Sequence, residues 1–268
     1  MTRLTLLLSV VLTVVLASSL SLGAAQQAID TEPTEVRFVH ASPNAQIEEL
    51  VVLDTAQDPA VEMLVIDEFS YPTVTPFESM AEGTYEVLVR LTDVDGASTR
   101  EHTLPQTLSV VDGTSVTVAI IGLVAPEIFE EPEEGFLAWL QDLFTADPED
   151  PALRALILDG TLETPVPGDE ADLRIAHAAP GIEPLELVLD HANDTVAVLE
   201  SAAYAEASGY ITIRPEAGTV QIHVAGSGVS VAEIPDEDLQ PGARYTVMLT
   251  GTPIEDVPLE VLLLLDGG

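Results

Sequence analysis

Two stretches of the 268-residue chain repeat the same potentially reactive side chains at the same spacing: VRFVHASP (Val36 to Pro43) and LRIAHAAP (Leu173 to Pro180). Each carries an arginine that could capture an anion, a histidine that could bind a metal or move a proton, and a proline that restricts the turn. Side chains of an extended segment alternate between faces, so Val36, Phe38 and His40 share one face, as do Leu173, Ile175 and His177, while Arg37 and Arg174 point the other way. The histidine then ends an apolar row. Its structural reading is an imidazole at the core margin, bonded to the backbone of the turn that Pro43 or Pro180 forces. The functional reading, a ligand- or metal-contacting histidine in each copy, finds no companion histidine at ligand spacing. For Arg37 and Arg174 the two readings are a salt bridge to a neighbouring carboxylate and capture of an anion.

Other motifs offer less chemistry. TDVDGAS (Thr92 to Ser98) places Asp93 and Asp95 ahead of a glycine but lacks the further oxygen ligands of a calcium loop, which favours a hairpin turn. Asn193-Asp194-Thr195 fits a glycosylation acceptor and also a turn. There is no Gly-x-Ser-x-Gly elbow, phosphate loop, His-Glu-x-x-His or dinucleotide fingerprint. Carboxylate pairs are so frequent that none singles itself out as a hydrolase site.

That frequency reflects an extreme composition: 46 acidic residues against 8 basic ones, with a formal net charge of −38. Every basic residue is arginine. A surface this anionic repels a phosphate backbone, which excludes nucleic acid as a partner. Self-repulsion of the charges implies a fold that salt stabilises, a pattern resembling proteins of salt-adapted organisms, and diffuse binding of sodium or calcium by surface carboxylates is an alternative screen. No cofactor is expected. Without cysteine there is no disulfide, thiol nucleophile or thiolate metal site. The N-terminus reads as a secretory signal, with Arg3, an apolar run from Leu4 to about Leu16, and small residues ending at Ala24 and Ala25. Cleavage near Ala25 would release a monomeric chain outside the cytoplasm, with an uncleaved anchor as the alternative. No later stretch has membrane-spanning length.

The repeat extends well beyond the reactive residues. EELVVLD (Glu48 to Asp54) is answered by LELVLD (Leu185 to Asp190), EGTYEVLVRL (Glu82 to Leu91) by AGTVQIHVAG (Ala217 to Gly226), DGTSVTVAIIG (Asp112 to Gly122) by PGARYTVMLTG (Pro241 to Gly251), and LRALILDG (Leu153 to Gly160) by EVLLLLDG (Glu260 to Gly267). Five blocks in one order describe a duplicated domain. Their Val, Ile, Leu, Thr and Tyr content and Asp-Gly, Pro-Gly and Glu-Gly punctuation describe antiparallel strands of a sandwich or barrel. The expected organisation is a signal at 1–25, a linker at 26–33, a first β-domain at 34–160, a linker at 161–170 and a second β-domain at 171–268. The first copy carries an acidic insertion at about 125–151. There Phe136, Trp139, Leu140, Leu143 and Phe144 fall on one face of a short amphipathic helix, suited to packing on the first domain or to contacting a partner.

The His-Ala-Ser-Pro block in VRFVHASPNA, its counterpart LRIAHAAPGI, the Gly-Thr turns and the closing LILDG and LLLDG resemble the DUF4397 family of exported β-domains, often found in tandem. The resemblance implies two β-sandwich-like domains, immunoglobulin-like or related, and supplies no catalytic residue. Ala179 replaces Ser42 in the second copy, so a serine hydroxyl cannot be essential to both. The expected function is a secreted or cell-surface, non-enzymatic module for adhesion or envelope interaction, with an extracellular protein or glycan as partner. A carbohydrate- or small-ligand-binding protein is the alternative, and an acid/base hydrolase the more remote one.

Overall fold

The computed structural model describes residues 34–92, 98–124, 152–160, 165–191, 195–215, 218–235, 238–253 and 257–267. The expected signal, the acidic insertion with its helical face, Asp93 to Asp95 and Asn193 lie outside them. The first half contains β1 (Thr34–His40), β2 (Ile47–Asp54), β3 (Val61–Asp67), β4 (Thr73–Val74), β5 (Glu78–Met80), β6 (Gly83–Thr92), β7 (Thr99–Val110), β8 (Ser115–Ile121) and β9 (Arg154–Asp159). The second contains β10 (Ala171–His177), β11 (Leu185–His191), β12 (Thr195–Ala202), β13 (Ile211–Ile213), β14 (Thr219–Val224), β15 (Val229–Ile234), β16 (Arg244–Thr252) and β17 (Val257–Gly267).

Each half is an all-β domain of two sheets. In the first, β4-β1-β8-β9, with β5 also on β1, faces β3-β2-β6-β7; in the second, β13-β10-β16-β17 faces β12-β11-β14-β15. All strand pairing among the described residues stays within a half. The motif strands β1 and β10 run parallel to β8 and β16, with Arg37 opposite Thr117 and Arg174 opposite Thr246. A left-handed glycine stands at equivalent places in the two halves, Gly122 (φ 94°) just past β8 and Gly251 (φ 95°) near the end of β16. At Gly251 an added Cβ would lie 2.2 Å from the Pro258 carbonyl oxygen, so only glycine fits.

Alternation explains why each half closes on itself. Val36 and Phe38 enter a core with Leu50, Val52, Val89 and Val118, and Leu173 and Ile175 enter another with Leu187, Ile222 and Val247. A third cluster joins the halves: Val39, Ala119 and Ile121 from the first with Ala176, Met248 and Leu264 from the second. The motif strands are thus buried on both faces, even though each carries an arginine and a histidine among its apolar residues. The small side chains of Ala41, Ala119, Ala176 and Ala178 let the two sheets approach.

Candidate functional site

The motif histidines lie deeper than a core margin: His40 and His177 are both 0% exposed. At the end of β1, the His40 Nε2–H donates to the Ala45 carbonyl (3.1 Å) and Nδ1 accepts the Ser42 N–H (3.3 Å). At the end of β10, the His177 Nε2–H is shared between the Ile182 and Glu183 carbonyls (3.2 and 3.3 Å), and Nδ1 accepts the Ala179 N–H (3.3 Å). Each imidazole therefore braces the loop that follows it with both nitrogens, a pattern that requires the neutral ring. Burial pushes each down to about 4, against the weaker opposing pull of the backbone carbonyls. Aromatic rings close the pocket, Phe69 and Tyr71 around His40 and Tyr204 edge-on to His177. Neither nitrogen has a lone pair or proton left for a ligand or substrate. The prolines follow: Pro43 is half-buried and Pro180 buried, its carbonyl accepting the Thr252 hydroxyl at 3.0 Å.

The arginines occupy the opposite face, at the junction of the halves. Arg37 donates from Nε to Thr117 Oγ1 (2.8 Å), from Nη1 to the Leu265 carbonyl (2.7 Å) and from Nη2 to the Asp266 carboxylate. Arg174 donates from Nε to Thr246 Oγ1 (2.6 Å) and from Nη1 to the Asp159 carbonyl (2.7 Å), with Nη2 3.7 Å from Asp266. The exchange is reciprocal, since the first half's arginine reaches β17 and the second half's reaches β9. Each guanidinium also stacks on an aromatic ring, Arg37 on Phe77 at 4.6 Å and Arg174 on Tyr210 at 4.4 Å. These rings sit one residue before β5 and β13, the short strands that pair with β1 and β10.

Asp266 is the anion that holds this cluster, its side chain 1% exposed. Besides Arg37 it accepts the Tyr210 hydroxyl (2.7 Å) and the Thr246 hydroxyl. Burial pushes the Tyr210 phenol upward, so it remains a donor. Burial also lowers Arg37, with Asp266 opposing it; the group is a cation at any ordinary pH. A second buried pair, Arg244 with Asp172 at 3.0 Å, brings another guanidinium to 5.4 Å from the Tyr210 ring. The Thr250 hydroxyl completes the junction by donating to the Ala41 carbonyl across it at 2.8 Å. Arg37 and Arg174 are thus engaged in internal bonds rather than aimed at solvent.

Sequence reasoning placed both arginines and both histidines at repeat positions but missed their partners. Asp266 and Thr246 stood inside aligned blocks without a role, and Phe77 and Tyr210 fell outside the blocks altogether. Among the described residues no group of three or more histidines and carboxylates is arranged to hold a metal ion. One groove of about 630 Å³ opens beside the first motif loop, lined by Pro43, Asn44, Gln46, Glu48, Glu68 and Tyr71 among others.

A tandem all-β protein whose repeated polar residues lock loops and join domains is what this geometry defines. The family model for DUF4397, a domain of unknown function, matches residues 34–132 and 171–267, and the chain belongs to that family. No curated protein matches it. Among solved structures, the fimbrial anchor protein Mfa2 from Porphyromonas gingivalis aligns over 88% of this chain and 98% of its own at 12% identity, with a TM-score of 0.23. So low a score says nothing of shared function.

Proposed function

We propose that the chain is an exported, non-enzymatic interaction module, in which two immunoglobulin-like sandwiches are fixed as one body to present their outer faces to an extracellular or envelope partner. One observation carries this reading: the side chains that the duplication repeats, and that could do chemistry, are consumed internally by loop bracing and domain joining. The N-terminal leader pattern supports export. An enzyme of this design would need a second polar constellation outside the repeated motif.

The test is to assay the full chain against glycan and ester substrate panels alongside binding to purified envelope material. Saturable binding without turnover is expected. Turnover abolished by replacing one carboxylate would overturn the reading. The groove beside Tyr71 favours a second reading, a small-ligand or carbohydrate site: its mix of amide, carboxylate and aromatic groups suits a neutral polyol better than an anion. Loss of glycan binding in Gln46→Ala would support it.

The charge of −38 also leads us to propose a salt requirement. The melting temperature should rise from low to molar sodium chloride as self-repulsion is screened. A salt-indifferent melt would refute this, and a separate calcium titration tells specific from diffuse screening.

A further inference from the structure

The outer faces of the two equivalent sheets differ in chemistry. In the first half, Val51 lies between Val65 on edge strand β3 and Leu88 on β6. In the second, the outward-facing Val188 lies between Val198 on edge strand β12 and Gln221 on β14. In the aligned blocks His223 stands where the first half has Leu88, and it bonds its outward neighbour Gln221 at 2.8 Å. The second face is therefore closed by a polar pair, while the first presents aliphatic side chains.

That aliphatic surface continues along β3, where Met63 and Val65 are 47% and 41% exposed. Met63 and Val65 together form an exposed apolar stripe, unlike the single residues elsewhere, which need no explanation. Beside the stripe, Arg90 is shared by Glu49, Glu62 and Glu101. Three carboxylates on one guanidinium leave two negative charges in excess, and the segment from Asp58 to Glu68 has four acids and no base. A register shift in the β2–β3 pairing, between Val52 and Leu53, interrupts the strand at Met63. A bulge of this kind disfavours continuous backbone pairing along the free edge, so a partner must use the side-chain face.

We propose that the outer face of the β3-β2-β6-β7 sheet is a docking surface for a cationic amphipathic polypeptide, whose apolar residues cover Val65, Met63 and Leu88 and whose lysines or arginines meet Glu62 and Glu101. This rests on the interaction-module reading. The charge selects the partner: a second copy of this chain carries the same −38 and is repelled, whereas a basic segment gains apolar burial and ion pairing together.

The test uses the full chain and two synthetic peptides, one alternating valine with lysine and the other alternating serine with lysine. By fluorescence anisotropy at moderate salt, the valine peptide should bind saturably and the serine peptide at least tenfold more weakly. Met63→Ser with Val65→Ser, which leaves the charge unchanged, should weaken the valine peptide about tenfold or more, corresponding to roughly 1.4 kcal/mol. Val198→Ser should leave it unaltered. Glu62→Gln with Glu101→Gln, which spares the apolar stripe, should weaken binding and flatten its salt dependence. Equal binding of both peptides, or indifference to the Met63 and Val65 substitutions in a protein with an unchanged melt, overturns the proposal. Salt-induced dimerisation that the same substitutions abolish would assign the face to a second copy and also overturn it. Either failure leaves the module reading standing, because that reading falls only to turnover.

Discussion

The two halves share one strand plan, yet they treat the aspartate of their last strand in opposite ways. Asp266 is withdrawn from solvent and collects Arg37, Tyr210 and Thr246, with Arg174 nearby. Its counterpart Asp159 is exposed and lends the junction its backbone carbonyl. The stacking residues follow suit: Tyr210 has a hydroxyl for Asp266, and Phe77, in the equivalent place, has none. A duplication delivers cations in pairs, but a desolvated carboxylate is costly unless its lone pairs are filled. Here one aspartate has taken the buried place and its twin has stayed outside. Such divergence makes the junction depend on the two halves together, because Arg37 of one needs Asp266 of the other.

The largest effect should come from breaking that asymmetry. Asp266→Ala strands Arg37 in a buried site and should lower the stability of the full chain by about 3–5 kcal/mol, the usual cost of removing one partner of a buried ion pair. Asp159→Ala should change it by no more than about 0.5 kcal/mol. Urea denaturation of both variants measures the contrast. Equal losses would mean that the halves use their aspartates alike.

Where the arginines diverge in their partners, the histidines agree. Both are held neutral by burial in the folded state, down to about pH 4, whereas the unfolded chain protonates them near 6.5. The unfolded state therefore binds more protons between these values. Their contribution is fully present above about pH 6.5 and is lost as pH falls towards 4, by roughly 3 kcal/mol for each histidine. Protonation of surface carboxylates acts in the opposite sense at the lower end, by relieving repulsion. His40→Gln with His177→Gln should consequently be less stable at neutral pH and should lack the decline between pH 6.5 and 4. If the wild-type profile, followed by denaturant melts, is already flat there, the loop-bracing account of the imidazoles fails.

How much of this was legible follows from the range of the interactions. The histidine's work is local, ending five or six residues downstream, so the strand parity of His40 and a following proline were enough to suggest it. The arginine's work is not: Arg37 meets its carboxylate 229 residues away, and nothing in strand alternation says that a second sheet covers the outward face. A salt bridge to a neighbouring carboxylate was one of the two readings of this arginine, but strand alternation did not say that the carboxylate comes from the other half. A signal was nonetheless present. Ala119 and Ala176 are small residues on strands that carry large ones, Ala41 and Ala178 directly follow such strands, and close sheet packing favours small residues at these positions.

The smallest effect concerns the end of each motif loop, where the halves reach one result by exchanging roles. In the first half Ser42, in the loop, donates its hydroxyl to the Gly122 carbonyl just past β8 at 2.7 Å. In the second, the loop has Ala179 and no hydroxyl; instead Thr252, at the end of β16, donates to the Pro180 carbonyl in the loop. The residue matching Thr252 in the first half is Leu123, so neither half carries both donors. Each clasp is buried and should contribute about 1 kcal/mol, the net value of an ordinary hydrogen bond. Ser42→Ala and Thr252→Val should then cost similar amounts in equilibrium denaturation. Their double variant should be additive, because the hydroxyls serve different loops. A cost for Ser42→Ala with none for Thr252→Val would make the clasp a feature of the first half alone, and the loss of a hydroxyl at Ala179 would be uncompensated in the second.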